Sequence, residues 1–256
     1  MGYFHDAKAG SRRSCFFVVK IMFLCYYRPM GPVAPAEENG MSNNCVIIGD
    51  VKQSRKLDNW ETIFTELTRT LTGINRRFSD DIVATFSPTV GDEFQGAIST
   101  PEKAFDIYTI MRSELQLDIY FGIGIGGIEK PLDKEMGMRG SGFYRAREAL
   151  AVCKKEKRNV FVKSSDTPNP TDTILNTVLR LIEALENSWT KRQREVVNYY
   201  RVHPNYTYEQ LSKHFGFSKQ AASQFLKATS WEIIAEGDRL VKELLGRMYS
   251  RKGGVK

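Results

Sequence analysis

Two short apolar runs in this 256-residue chain each end on a Gly-Asp pair. The first is Val46–Asp50 (VIIGD); the second, with Asp92 lying 42 positions after Asp50, is Thr89–Gly96 (TVGDEFQG), which adds Glu93. If the two runs lie side by side as strands, Asp50, Asp92 and Glu93 converge at one point. A carboxylate cluster repels itself and persists where a cation or a shared proton neutralises it. Mg2+ or Mn2+ takes such oxygen ligands and completes its shell with substrate phosphates. Adjacent residues on a regular strand point to opposite faces, which makes Asp92 the better ligand and Glu93 the conditional one. Gly-Asp pairs are also ordinary turn residues; two of them at matching strand ends point to a metal site.

The segment after Asp50, Val51–Leu57 (VKQSRKL), leads into a helix and so offers free backbone N–H groups to an anion. Lys52, Ser54 and Arg55 add side-chain donors, and Gly91 stands beside Asp92. The alternative is a solvated basic loop, but phosphate suits both the donors and the carboxylates beside them. A formal GxGxxG at Gly122–Gly127 is not a dinucleotide fingerprint, because Ile128-Glu129-Lys130-Pro131 follows where a helix would be needed. Its glycines alternate at period two, so they bare one face of a strand to a close neighbour, a nucleotide or another subunit.

The elements that must position these residues read in order. Cys45–Gly49 is a buried strand. Asp58-x-x-Glu61 matches a capping box, and Trp60, Ile63, Phe64, Leu67, Leu71, Ile74 and Phe78 follow at helical spacing. Ile82–Ser87 and Glu93–Ile98 are strands joined by a turn. Thr100-Pro101 opens a helix lined by Ala104, Phe105, Tyr108 and Leu115. Ile119–Ile125 is a strand, Ser141–Lys157 a helix with a strongly basic end, and Val160–Val162 a last strand. The order β-α-β-β-α-β, then α-β, begins as the ferredoxin-like split unit. The expectation is an α+β, ferredoxin-like antiparallel sheet over 41–163 with one face open to a ligand or partner. Residues 164–187 then form a linker and connecting helix.

Residues 188–249 predict a separate all-α, helix-turn-helix domain. Thr190-x-x-Gln193 and Thr207-x-x-Gln210 match capping boxes, Phe215-Gly216-Phe217 is a turn, and Ser218 caps a third helix. Leu211, Gly216, Ala222 and Leu226 fall where such a motif needs apolar contacts and a turn glycine. Ser218, Lys219, Gln220, Ser223, Gln224 and Lys227 would face DNA, since Gln and Ser can bond base edges and Lys suits phosphate. A protein-binding three-helix module is the alternative. Trp231–Met248 is a further helix, either packed on the motif or a dimerisation helix matching a two-fold operator.

Charge supports the DNA reading. Residues 188–256 carry 13 Lys and Arg against 6 Asp and Glu, whereas 41–187 carry 19 against 21. The net charge of +7 therefore sits almost wholly in the last quarter, as a polyanion partner requires. Four scattered cysteines without CxxC or Cys/His spacing argue against a disulfide framework or a zinc site and fit a reducing, cytoplasmic compartment. Residues 1–40 hold a basic Ser11-Arg12-Arg13, the apolar run Cys15–Tyr27 and then Val33-Ala34-Pro35-Ala36, which imitates a signal peptide. The run is too short to span a bilayer, and a start at Met41 is the preferred reading. Residues 250–256 form a basic tail.

VIIGDVKQSRKL, TVGDEFQG, FGIGIG and GSGFYRAREA, in this order and before a helix-turn-helix, resemble the SatD family of bacteria and archaea over about Met41 to Leu245. More distantly, the N-terminal part is similar to the palm core of class III nucleotide cyclases and GGDEF proteins. There, an Asp on the first strand and an acidic residue in the central hairpin hold two metal ions that bind a nucleoside triphosphate. The resemblance matches Asp50 to the first, Asp92 to the second, and Ser54 to the small polar residue after the first. It departs at the later helix, where cyclases carry an Asn and an Arg and this chain has Tyr144 and Glu148; only with a shift of register does the resemblance offer Arg145 and Arg147 as candidates for the nucleotide phosphates.

Two functions follow as expectations. One is a DNA-binding transcriptional regulator, homodimeric, whose palm-like domain senses an Mg- or Mn-nucleotide. The other is a metal-dependent nucleotide cyclase or nucleotidyltransferase-type enzyme with a C-terminal DNA-binding module. A scaffold with a vestigial site is the dullest case.

Overall fold

The β-branched run at Val46–Ile48 forms the central strand of a five-stranded sheet. The computed structural model describes residues 44–89, 91–115, 117–129 and 139–249, the side chains of Arg55 and Tyr249 excepted. The expectations for residues 1–40 and for the basic tail lie outside them. The strands are β1 (Asn44–Val51), β2 (Ile82–Pro88), β3 (Glu93–Ile98), β4 (Ile119–Gly126) and β5 (Val160–Lys163). Helices α1 (Trp60–Arg77), α2 (Lys103–Leu115) and α3 (Ser141–Glu156) alternate with them. After β5 come α4 (Pro170–Glu186), α5 (Lys191–Val202), α6 (Tyr208–Phe215), α7 (Lys219–Ala228) and α8 (Trp231–Tyr249).

The sheet order is β2-β3-β1-β4-β5, so the first four strands carry the split-βαβ order expected. β4 and β5 pair in parallel, which makes the sheet mixed rather than antiparallel: α3 crosses over between them and returns the chain in the same direction. Alternation along β1 divides the core. Cys45, Ile47 and Val51 join the large cluster with Leu67, Leu71 and Ile74 of α1 and Phe105 and Met111 of α2. Val46 and Ile48 join Ala146 and Leu150 of α3 on the other face.

That second face is not bare. A Cβ on Gly124 would come within 2.2 Å of the Ala146 nitrogen and the Gly142 carbonyl, and one on Gly122 within 2.2 Å of the Ala146 carbonyl. The alternating glycines therefore admit the backbone of α3, not a nucleotide or a second subunit, and Phe121, Ile123 and Ile125 pack the opposite face.

Two expected caps do not form. α1 begins at Trp60 behind Asn59 with no side-chain cap bond, so the Asp58 capping box is absent. Thr100 spends its hydroxyl on the Asp81 carboxylate, which Lys103 also reaches, and α2 begins only at Lys103. Both C-terminal capping boxes do form, at Thr190/Gln193 and Thr207/Gln210.

The all-α segment is not a separate unit. Val196, Val197, Leu211, Ala222, Leu226, Ile234, Val241, Leu244 and Leu245 are buried in the same cluster as the sheet's inner face. Helix α4, expected as a connector, buries Leu175, Leu179 and Ile182 there. The apolar stripe of α8 is thereby used inside the chain, which favours the packing reading over a dimerisation helix. A buried ionic chain also ties these helices to α2. Glu186 pairs with Arg112, which donates to the Tyr108 hydroxyl at 2.9 Å, and with Arg201 at 2.7 Å. Arg201 forks onto both carboxylate oxygens of Asp238 at 2.6 Å.

Candidate functional site

The acidic residues gather at one end of β1. Asp50 and Glu93 are cross-strand partners, hence on one face of the sheet. Asp92 sits in the turn before β3, with its carbonyl accepting the Val51 N–H at 3.2 Å. Gly91 makes that turn with φ 74°, a left-handed conformation that glycine adopts without cost. Val90 lies outside the described residues. Glu93 is thus no lesser member than Asp92: the hairpin turns Asp92 out of the strand, and Glu93 is the one paired across to Asp50.

The site carries its own counter-charges. Lys154 reaches Asp50 at 2.5 Å, Arg147 pairs with Glu93, and the Ser54 hydroxyl donates to Asp92. Arg147 and Lys154 stand seven residues apart, two turns of α3, so both project from the same side of the helix, beside its buried face. The Asp50 carboxyl is pushed up by burial, which outweighs the lowering by Lys154; the charges of Asp92 and Glu93 add to the rise.

The phosphate candidates fare differently. Ser54 and Arg147 are at the cluster. Lys52 turns away: its ammonium donates to the Asn159 side chain at 2.5 Å and lies 4.5 Å from the centre of the Tyr120 ring, and burial lowers its pKa. Arg145 is buried away from the cluster, donating to the Ile125 carbonyl at 2.9 Å and to Asp166 at 3.1 Å. The side chain of Arg55 lies outside the described residues. Tyr144 is 65% exposed and Glu148 pairs with Lys163, so neither joins the acidic group. Lys154 is the residue that sequence reasoning passed over. Its signal was the basic end of α3, but only the crossing of α3 over β1 aims it at Asp50.

The donor set fits the Mg2+ or Mn2+ implied by the palm resemblance in kind, being carboxylate oxygens and one hydroxyl. Among the described residues no three His, Cys, Asp or Glu side chains form a ready cage. Two of the carboxylates are paired with cations of the chain, Asp50 with Lys154 and Glu93 with Arg147, while Asp92 accepts from the uncharged Ser54 hydroxyl.

In the C-terminal part, α6 ends at Gly216 with φ 71°, and Ser218 accepts the Ala221 N–H at 3.1 Å to start α7. Ser218, Lys219, Gln220, Gln224 and Lys227 are exposed, and Ser223 is half-buried. They form one polar surface of α7, remote in sequence from the acidic cluster.

Fold and site together define an α+β protein in which a split-βαβ sheet presents three carboxylates at one strand end. The chain belongs to the SatD family, whose model matches residues 44–245. No curated protein matches it. Among solved structures, a bacterial light-regulated adenylyl cyclase is similar at 12% identity and a TM-score of 0.34, over 61% of this chain and 57% of that one. The catalytic core of a rhodopsin-guanylyl cyclase with converted specificity, in complex with ATPαS, is similar at 16% identity and a TM-score of 0.30, over 43% and 72%. The chain thus spans a little over half the length of the first. Both likenesses are weak. Among the described residues no helix is long and apolar enough to cross a membrane.

Proposed function

We propose that this chain binds a nucleotide together with Mg2+ or Mn2+ at Asp50, Asp92 and Glu93, and that the site supports chemistry of the nucleotidyl-transfer type. The observation that carries this reading is the gathering of three carboxylates at a single strand end, with Lys154 paired to Asp50 and Arg147 to Glu93. A bound divalent ion would supply charge neutralisation for the phosphates. Asp50, Asp92 and Glu93 would hold it, and Arg147 and Lys154 would be the chain's cationic donors to phosphate oxygens. Arg147 would also supply, from within the chain, the cationic group that transfer needs. Incubation of the full chain with each nucleoside triphosphate and Mn2+, with products resolved by chromatography, should yield a product that Asp92→Ala abolishes. Calorimetry that finds no Mn2+-dependent nucleotide binding by the wild-type chain would sink the reading.

A second reading concerns α6 and α7. The left-handed Gly216, the Ser218 cap and the exposed Lys219, Gln220, Gln224 and Lys227 support a helix-turn-helix that binds DNA. The protein would then be a transcriptional regulator whose nucleotide site shifts DNA affinity. Binding should weaken steeply with salt, and Lys219→Ala with Lys227→Ala should reduce both affinity and salt slope. Unchanged affinity in that double variant removes α7 as the contact.

A further inference from the structure

An open sheet ends in two strands whose outer backbone groups lack a partner strand, and such edges recruit strands from other molecules. In this sheet those edges are β2 and β5. At each, an asparagine from a neighbouring helix occupies the place of the missing strand. Asn75, in the last turn of α1, accepts the Phe86 N–H through Oδ1 and donates from Nδ2 to the Phe86 carbonyl, both at 2.8 Å. Asn176, in α4, treats Val162 the same way: Oδ1 accepts its N–H at 2.8 Å and Nδ2 donates to its carbonyl at 2.7 Å. Two bonds to both polar groups of one residue are what an antiparallel strand makes at a hydrogen-bonded pair. A carboxamide can reproduce them because it carries an acceptor and a donor on one carbon.

Neighbouring backbone donors are spent too. The Ile82 N–H bonds the Phe78 carbonyl at 3.1 Å, and Pro88 has no N–H to offer. Beside β5, the Asn159 N–H goes to Glu183 at 2.9 Å and the Ser164 N–H to Asp172 at 2.8 Å. Asn176 is buried and anchored further by a bond from Nδ2 to the Asp172 carbonyl at 2.8 Å. Two unrelated helices thus bring the same side chain, in the same two-bond arrangement, to the two ends of one sheet.

We infer that Asn75 and Asn176 exclude a second copy of this chain from adding strand to strand, so that self-association is left to other surfaces. The test compares the full-length wild type with Asn75→Ala, Asn176→Ala and the corresponding Asp variants, by sedimentation over a concentration series and by amide exchange at Phe86 and Val162. Ala and Asp variants alike lose at least one edge bond and melt earlier. The Ala variants should associate at concentrations roughly tenfold below those at which the wild type does, and the freed Phe86 or Val162 amide should regain protection as they associate. The Asp variants, with a charge on the edge, should sediment like the wild type. Half-buried Asn75 carries the test should the Asn176 variants fail to fold. Ala variants that sediment like the wild type overturn the inference. So do Asp variants that associate as readily as the Ala variants, or a freed amide that stays unprotected in the associated species.

Discussion

Asp50 faces a choice of cations. Its carboxylate holds the Lys154 ammonium at 2.5 Å, and both groups keep some solvent exposure, so the pair is a displaceable contact rather than a locked one. Exposed ion pairs contribute roughly 0.2–1 kcal/mol. Lys154→Met should therefore tighten Mn2+ binding in the absence of nucleotide by up to about fivefold, and weaken binding of the Mn2+-nucleotide complex. Electron paramagnetic resonance of free Mn2+ reads the first effect and calorimetry the second. Asp50→Asn should abolish the first altogether. Equal or weaker Mn2+ binding by Lys154→Met would show that Lys154 does not compete for the site. At this scale the convergence of Asp50 with Asp92 and Glu93 is legible in the sequence, because Gly-Asp pairs at strand ends constrain where carboxylates go. The partners are not: Lys154 lies 104 residues from Asp50 and Arg147 lies 54 from Glu93. No local periodicity encodes those distances.

At the scale of elements, the glycines of β4 show what a pattern does and does not reveal. Period-two spacing fixes one bare face, but what fills it depends on where α3 docks. Gly124→Ala would drive a Cβ to 2.2 Å from backbone atoms of α3, and backbone cannot step aside like a flexible side chain. The expected cost is roughly 2 kcal/mol or more, read as a lower urea midpoint. Because α3 carries Arg147 and Lys154, nucleotide affinity should fall with it. Gly73→Ala is the contrast. It lies inside α1 with nothing within 4 Å of the new Cβ, so it should stabilise by about 0.5–1 kcal/mol. A destabilised Gly73→Ala would mean that the outer face of α1 is covered in solution. The caps divide in the same way. Thr190 and Thr207 keep theirs because reciprocal bonds to Gln193 and Gln210 are local, and Thr207→Ala should cost about 1 kcal/mol in a thermal melt. Thr100 loses its cap role to Asp81, a competitor from another element.

Across the whole molecule, Glu186 decides whether the C-terminal helices travel with the sheet. It ends α4, between Arg112 of α2 and Arg201 of α5, and Arg201 passes the connection to Asp238 of α8. Sequence separations of 74 and 37 residues hide this chain, and so the composition shift near residue 188 reads as a domain boundary where packing is continuous. Burial raises the Glu186 carboxyl, but the guanidiniums of Arg112 and Arg201 outweigh it and hold the group at about 2, below its usual 4.5. A carboxyl depressed in the folded state contributes its stability in full above its unfolded value and loses it as pH falls toward its folded one. The contribution is thus complete at neutral pH, on the order of 3 kcal/mol, and disappears between about pH 4.5 and 2. Glu186→Gln leaves two buried guanidiniums underpaired and should cost roughly 3–5 kcal/mol at pH 7. Its unfolding free energy should also fall less steeply than the wild type's across the acid range. Urea unfolding at pH 7, 4.5 and 3 measures both. Parallel losses in the two proteins would place the acid sensitivity elsewhere. A Glu186→Gln chain that unfolds in two steps, α4–α8 before the sheet, would identify this buried carboxylate as what makes the sheet and the C-terminal helices a single cooperative unit.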